Sequence, residues 1–335
     1  MKPRPKRHDP KRRRSSRKLA ALAATPLLAA STIAATPSTA QAVTTCHEVR
    51  IPVRPHAQIA GTLCAPPAAT TIEVLVPGGT YTRWYWTETG YTAAANRAGI
   101  ATLAIDRLSN GKSTQVPVGS NSFTQQGNDV HKLLTWAHSH KWKKIVLGGH
   151  SIGSAIAINE ASRYHDADAL LLTGITHSPH ILPLVRTIVG LVRPANAMPQ
   201  FKDRPIGQLT HARQSDRAAA FGGPDDPPEM TAADFAHRDT VGPIEIVDAA
   251  VQIPVNGSKR ITAPVLNIVG DHDVNLNCGL GPCTAPARLK AAERPRYGGP
   301  YTAMIAANAG HSMNLARSHT QTYTKMNHWV TTTLG

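Results

Sequence analysis

The chain alternates two apolar patterns. Short runs dense in β-branched and aliphatic residues end at glycine or a polar cluster: TIEVLVPGG (71–79), IATLAID (100–106), KKIVLGG (143–149), ADALLLTGIT (167–176), APVLNIVGD (263–271) and YTAMIAANAG (301–310). Each predicts a buried strand. Helical spacing lies between them. In FTQQGNDVHKLLTWAHSH (123–140), Val130, Leu133, Leu134 and Ala137 recur at i, i+3, i+4 and i+7, which predicts an amphipathic helix. TETGYTAAANRAG (87–99) predicts a helix stopped by Gly99, and TQTYTKMNHWVTTTL (320–334) a closing helix. SIGSAIAINEAS (151–162) is apolar nearly all round and predicts a buried helix. Strands separated by helices imply an α/β fold, a mostly parallel sheet covered on both faces.

Two segments at the start add strands of another kind. CHEVRIPV (46–53) and AQIAGTLCAP (57–66) flank a turn at Arg54-Pro55-His56. A hairpin centred on residue 55 sets Cys46 opposite Cys64, within reach of a disulfide. Cys278 and Cys283 close the small loop CGLGPC and form the second expected pair. Residues 177–262 break the alternation, with many Pro, Gly and charged residues and no strong strand pattern. They are expected to form a cap inserted after the sixth strand. The apolar stretch ILPLVRTIVGLV (181–192) inside them needs burial. The core is then 43–176 with 263–335.

Charge changes the picture only at the N-terminus. The formal charge is +15, but residues 1–42 hold ten Lys or Arg and one acid, leaving 26 basic against 20 acidic residues downstream. No run of interleaved basic and aromatic residues follows, which argues against a nucleic-acid partner. A basic segment ending at Lys18, a moderately apolar run from Leu19 to Ala35, and Ala40-Gln41-Ala42 read as an export signal cleaved after Ala42. Arg13-Arg14 fits twin-arginine export, but Ser15-Ser16-Arg17-Lys18 lacks the usual apolar follow-on, so the route stays open. No later segment is expected to span a membrane. An even cysteine count in an exported chain favours disulfides over free thiols.

The chemistry sits at predicted strand ends. Gly149-His150-Ser151-Ile152-Gly153 fits G-x-S-x-G between a strand and a buried helix. Such a turn presents Ser151 as a nucleophile, which needs a base. His311, in AANAGHSMN, follows the last strand and can serve; Asp273 follows VLNIVG and can orient it. Asp271 is the alternative acid. Backbone N–H groups of Ile152 and of Gly79 or Thr80, in PGGTY, are the expected oxyanion hole. His150 packs beneath the nucleophile. His177 and His180 are read as cap residues rather than pocket groups. Asp271-His272-Asp273 lacks metal-ligand spacing, and Gly111-Lys112-Ser113 lacks the first glycine of a phosphate loop, so neither metal nor nucleotide is expected.

These motifs in this order resemble the α/β-hydrolase superfamily, of the secreted bacterial kind with a helical cap, over roughly residues 45–335. VLVPGGTY resembles its oxyanion strand and loop, with Pro77 where His is commoner. ATLAIDRLSNGKS (101–113) resembles its next strand and D-R-x-G-x-G-x-S loop, with Ser109 and Asn110 departing from the glycine pattern. The resemblance implies a hydrolytic triad of Ser151, Asp273 and His311, with no cofactor. The reading is a secreted serine hydrolase acting on a small-molecule acyl substrate, apolar or medium-sized and most simply a carboxylic ester. Apolar 181–192 and Phe201, Phe221 and Phe235 are expected to wall the pocket. A peptidase, a thioesterase or lactonase, and an acyltransferase share the triad. A non-catalytic hydrolase-like binding protein is the reading from another class. The oligomeric state is left open.

Overall fold

The sheet grows outward from a hairpin. β1 (Thr45–Arg54) and β2 (Ala57–Ala65) pair antiparallel around His56, which turns at a positive φ of 62°. Cys46 faces Cys64 across the ladder, and the two are disulfide-bonded. This is a computed structural model; it describes residues 44–177, 182, 185, 192–253, 257–278 and 281–335. The leader, His180 and most of 181–192 lie outside the described residues.

β3 (Thr71–Val76), β4 (Ala101–Ile105), β5 (Lys144–His150) and β6 (Ala169–Thr173) follow. Two short strands, β7 (Val192–Pro194) and β8 (Leu209–His211), pair with each other apart from the main sheet. β9 (Val265–Gly270) and β10 (Tyr301–Ala306) then complete it in the order β1-β2-β4-β3-β5-β6-β9-β10. Among the described strands of this sheet only the β1–β2 and β2–β4 pairings are antiparallel, as is the separate β7–β8 pair.

Parallel strands buried on both faces read as unbroken apolar runs, because alternate side chains point to opposite sides. Ile145, Leu147, Leu170 and Leu172 pack in one core, while Val146 and Leu171 pack in the other. The first core is covered by α3 (Phe123–His138) and α4 (Ile152–Tyr164), through Val130, Leu133, Leu134, Ile156 and Ile158. Ser122 and Gln125 close a capping box at the start of α3. The second core is covered by α2 (Tyr91–Arg97) and the closing helix His319–Leu334, through Tyr91, Ala95, Tyr323, Met326 and Val330. A one-turn helix, α1 (Trp84–Thr87), precedes α2.

Between β6 and β9 lie α5 (Gln214–Phe221), α6 (Pro228–Ala236) and α7 (Pro243–Gln252), each of the last two opening on Pro, which suits a first helical turn. Where 181–192 is described it is not buried: Leu182 is 81% and Val185 45% exposed. α8 (Pro286–Glu293) joins β9 to β10, and α9 is the closing helix. Among the described residues no helix is long and apolar enough to cross a membrane.

Candidate active site

The turn from β5 to α4 is built around two close approaches. A Cβ on Gly153 would strike the carbonyl oxygens of Val76 and Pro77, and one on Gly149 would strike the backbone of Gly153. Both positions therefore require glycine. Ser151 between them adopts φ 55° and ψ −120°, a strained conformation for an L-residue. It is held there by its N–H donating to Thr173 O at 2.8 Å and its carbonyl accepting from Ala155 N at 3.1 Å. Its side chain thus stands at the carboxyl end of the sheet and at the positive end of α4.

His311 and Asp273 converge on the same edge from the loops after β10 and β9. His311 Nδ1–H donates to Asp273 Oδ2 at 2.8 Å, and both residues are buried. Asn277 Nδ2 donates to the same oxygen at 2.7 Å. The backbone of Asn277 and Cys278 donates to Asp273 O, and the Cys278–Cys283 disulfide closes the loop that follows. Asp271 has a different task. Its carboxylate accepts from Asn308 N and Ala309 N, and so holds the loop that carries His311. Nε2 of His311 is buried without a hydrogen-bond partner and borders the cavity that Ser151 also lines.

Gly79, Thr80 and Ile152 line that cavity too. Thr80 turns at φ 62°, and neither its N–H nor that of Ile152 has a hydrogen-bond partner among the described residues. His150 lies underneath, stacked on Tyr85 at 4.2 Å, its Nδ1 3.1 Å from Thr173 Oγ1. Burial, then the nearby His311 and Arg217, hold its pKa well below the usual histidine value, so it stays neutral.

Several site residues carry no signal in the sequence. Arg217, on α5, is 1% exposed. It pairs with both oxygens of Asp234 at 2.6 and 3.0 Å, donates from Nη1 to Thr80 Oγ1 at 2.7 Å, and lies 4.3 Å from the Tyr81 ring centre. Burial is the largest single influence and opposes its charge, but Asp234 and Tyr81 together raise its pKa. The next residue, Tyr81, shares a 2.7 Å hydrogen bond with Ser312 beside His311. The backbone packs as closely: Ser312 N donates to Phe221 O at 3.0 Å, and a Cβ on Gly310 would strike Gly222 O. No motif announces these pairs, because their members are far apart in sequence and separated by irregular chain.

The cavity wall is mainly apolar, with Ile175, Val241, Ile246, Ala249 and Leu276 facing it. Of the three expected phenylalanines only Phe221 lines it. Phe201 and Phe235 pack instead against the guanidinium of Arg238, at 5.5 and 3.7 Å, because that cation offers their ring faces a partner. Val192, at the end of the expected apolar stretch, does reach the cavity. His177 is buried away from it, with Nδ1 2.6 Å from Glu293 and Nε2 2.8 Å from Ser258. His211 lines the cavity with both ring nitrogens unpartnered, held neutral at a pKa of about 3 by burial and then by Arg217.

The loop with the altered glycine pattern is a structural clasp. Asp106 accepts from Arg83 N at 2.8 Å and from Lys112 N at 2.9 Å. Gly111, at φ 50°, has no room for a Cβ beside that carboxylate. Arg107 donates to Gly78 O at 3.2 Å and pairs with Glu245 on α7. Asn110 Nδ2 donates to Thr240 O at 2.7 Å.

This sheet and the site at its carboxyl edge define the class. The alpha/beta hydrolase family model matches residues 74–322, and the chain belongs to that family. No curated protein matches it in sequence. Solved structures share the fold at low identity. An esterase from Exiguobacterium antarcticum is 14% identical with TM-score 0.61, covering 86% of this chain and 100% of that one. A bromoperoxidase from Bacillus anthracis is 14% identical with TM-score 0.62, covering 86% and 99%. A dienelactone hydrolase from Anabaena variabilis is 15% identical with TM-score 0.50, covering 86% and 98%. Such different activities on one fold leave the reaction to be argued from the site.

Proposed function

We propose that the protein is an exported serine hydrolase that cleaves a carboxylic ester or related acyl bond. One observation carries the reading. His311 is oriented by Asp273 through Nδ1, while its Nε2 has no partner and borders the cavity lined by Ser151. In this reading Ser151 Oγ attacks the acyl carbon as His311 Nε2 takes its proton. The oxyanion that forms is received by the N–H groups of Thr80 and Ile152, with Gly79 leaving room at the loop. His311 then protonates the leaving alcohol, water attacks the acyl-enzyme under the same base, and Ser151 is restored. Asp273 keeps Nδ1 protonated and stabilises the imidazolium.

An apolar wall favours an apolar acyl group. Residues 177–262 act as the cap that supplies much of this wall. The two disulfides suit an oxidising compartment and support export, with the leader removed after Ala42.

The test is covalent labelling with a fluorophosphonate, read by intact mass, on the protein and on Ser151→Ala. One adduct on the first and none on the second is the expected result, with ester turnover lost in the variant by at least ~10³-fold. Labelling that survives in Ser151→Ala, or a folded protein that takes no label, overturns the reading.

A further inference from the structure

A second cluster of reactive side chains lies away from the cavity. Asp166 is in the turn that follows α4. His131 Nδ1, on α3, is 2.7 Å from Asp166 Oδ2 and 3.5 Å from Glu160 Oε1, on α4. Among the described residues this is the one group of three or more metal-ligating side chains whose donor atoms all lie within 4.8 Å of one another. Glu160 has a fully buried side chain, and neither of its carboxylate oxygens has a hydrogen-bond partner. Asp166 Oδ1 is also buried and unpartnered. With both carboxyls ionised, three buried oxygens are left without a donor, because carboxylates only accept.

We propose that His131, Glu160 and Asp166 bind a divalent cation of the Zn2+ class. One imidazole nitrogen and two carboxylate oxygens suit that ion, with water as a fourth ligand. With donors about 2.1 Å from the ion, tetrahedral coordination sets them about 3.4 Å apart, which matches the 3.5 Å to Glu160 and asks the 2.7 Å His131–Asp166 contact to open slightly. Charge also balances, since a neutral imidazole and two carboxylates leave two negative charges for the ion. His131 and Asp166 keep side-chain exposures of 27% and 19%, which gives the ion a way in from solvent.

The surroundings already brace the ligands. His131 stacks on Tyr164 at 3.8 Å, and His138 Nε2 contacts Asp166 O at 2.9 Å. Arg163, whose charge reaches Glu160, donates to Thr124 O and Asn159 Oδ1 and not to the cluster's carboxylates. The competitor for the site is a proton on Glu160, whose pKa burial and then Asp166 push up to about 10. The role is structural. Ser151 precedes the same helix, and nine residues at ~1.5 Å rise put Glu160 about 13 Å away along its axis. A bound ion would tie α3, α4 and the turn into β6 together.

The test is titration of ZnCl2 into tag-free, chelator-treated protein by calorimetry, with Tm read in parallel. One saturable equivalent is expected, with a Tm rise of about 5 °C at a hundredfold excess over Kd. Glu160→Gln should lose both, since its amide takes the place of the proton. The sixteen histidines make this control necessary, because surface imidazoles also bind zinc. Should Glu160→Gln fail to fold, Asp166→Asn at the rim carries the same comparison. Fluorophosphonate labelling should be equal with and without zinc. Absence of saturable binding, or equal binding in the variants, overturns the proposal and leaves Glu160 protonated.

Discussion

At the scale of single residues, Arg217 is the most consequential side chain outside the three proposed catalytic groups. It is buried, so its charge depends on Asp234, and its third nitrogen fixes the hydroxyl of Thr80. Replacing only Arg217 by Ala leaves Asp234 buried and unpaired, a loss of about 3–5 kcal/mol. Thr80 also loses its anchor, and displacing this proposed oxyanion donor should lower kcat by roughly 100-fold. The double variant Arg217→Met/Asp234→Leu should recover most of the stability in urea unfolding but not the rate. Recovery of both would separate Arg217 from the proposed oxyanion loop. The sequence revealed little at this scale. Ser151, His311 and Asp273 stand at strand ends and can be read one by one. Arg217, Tyr81 and Ser312 acquire meaning only when the chain folds back on itself.

At the scale of elements, β3 carries an unusual passenger. Glu73 is fully buried mid-strand, with Tyr91 Oη donating to Oε1 at 3.1 Å and Oε2 unpartnered. Burial raises its pKa to about 8, only partly offset by Tyr91. The folded state therefore holds a proton that the unfolded chain, at 4.5, releases earlier. Stability from this group is complete below pH 4.5 and is lost as pH rises through 8. Relative to Glu73→Gln, the wild type should lose up to about 1.4 kcal/mol per pH unit across that window, as measured by urea unfolding at several pH values. An unchanged difference between pH 5 and pH 8 would show that Glu73 is ionised when folded. The elements themselves were legible, because two-sided burial writes apolar runs into β3, β5, β6 and β9. The charge inside TIEVLV interrupts such a run, yet the flanking Ile72, Val74 and Leu75 outweigh it. The chain between β6 and β9 was legible only as a break, since short strands and Pro-initiated helices have no long period to detect.

At the scale of the whole molecule, the hairpin at the sheet's edge depends on a covalent tie. β1 is an outer strand with one neighbour, and much of its first half is exposed. Cys46–Cys64 spans 18 residues, and removing it as Cys46→Ser/Cys64→Ser should cost about 3 kcal/mol. Thermal unfolding checks this; an unchanged Tm would mean that strand pairing alone secures the edge. The pairing was legible because the ladder register follows directly from a turn centred on residue 55.

The contacts between residues 221–225 and the loop that carries His311 have a consequence for how this protein can change. Phe221 O and Asp225 O accept from Ser312 N and Arg317 N, and the Gly222–Gly223 backbone sits against Gly310. The helix that leads into this segment, α5, carries Arg217 to the proposed oxyanion loop at Thr80. A stretch of chain stitched to both sides of the proposed reacting centre is not a detachable module. Exchanging it for a relative's counterpart should disturb the proposed catalytic geometry along with the pocket. New substrate preferences are therefore more accessible through point changes at Val241, Ile246 or Leu276, which face the cavity without holding the machinery in place.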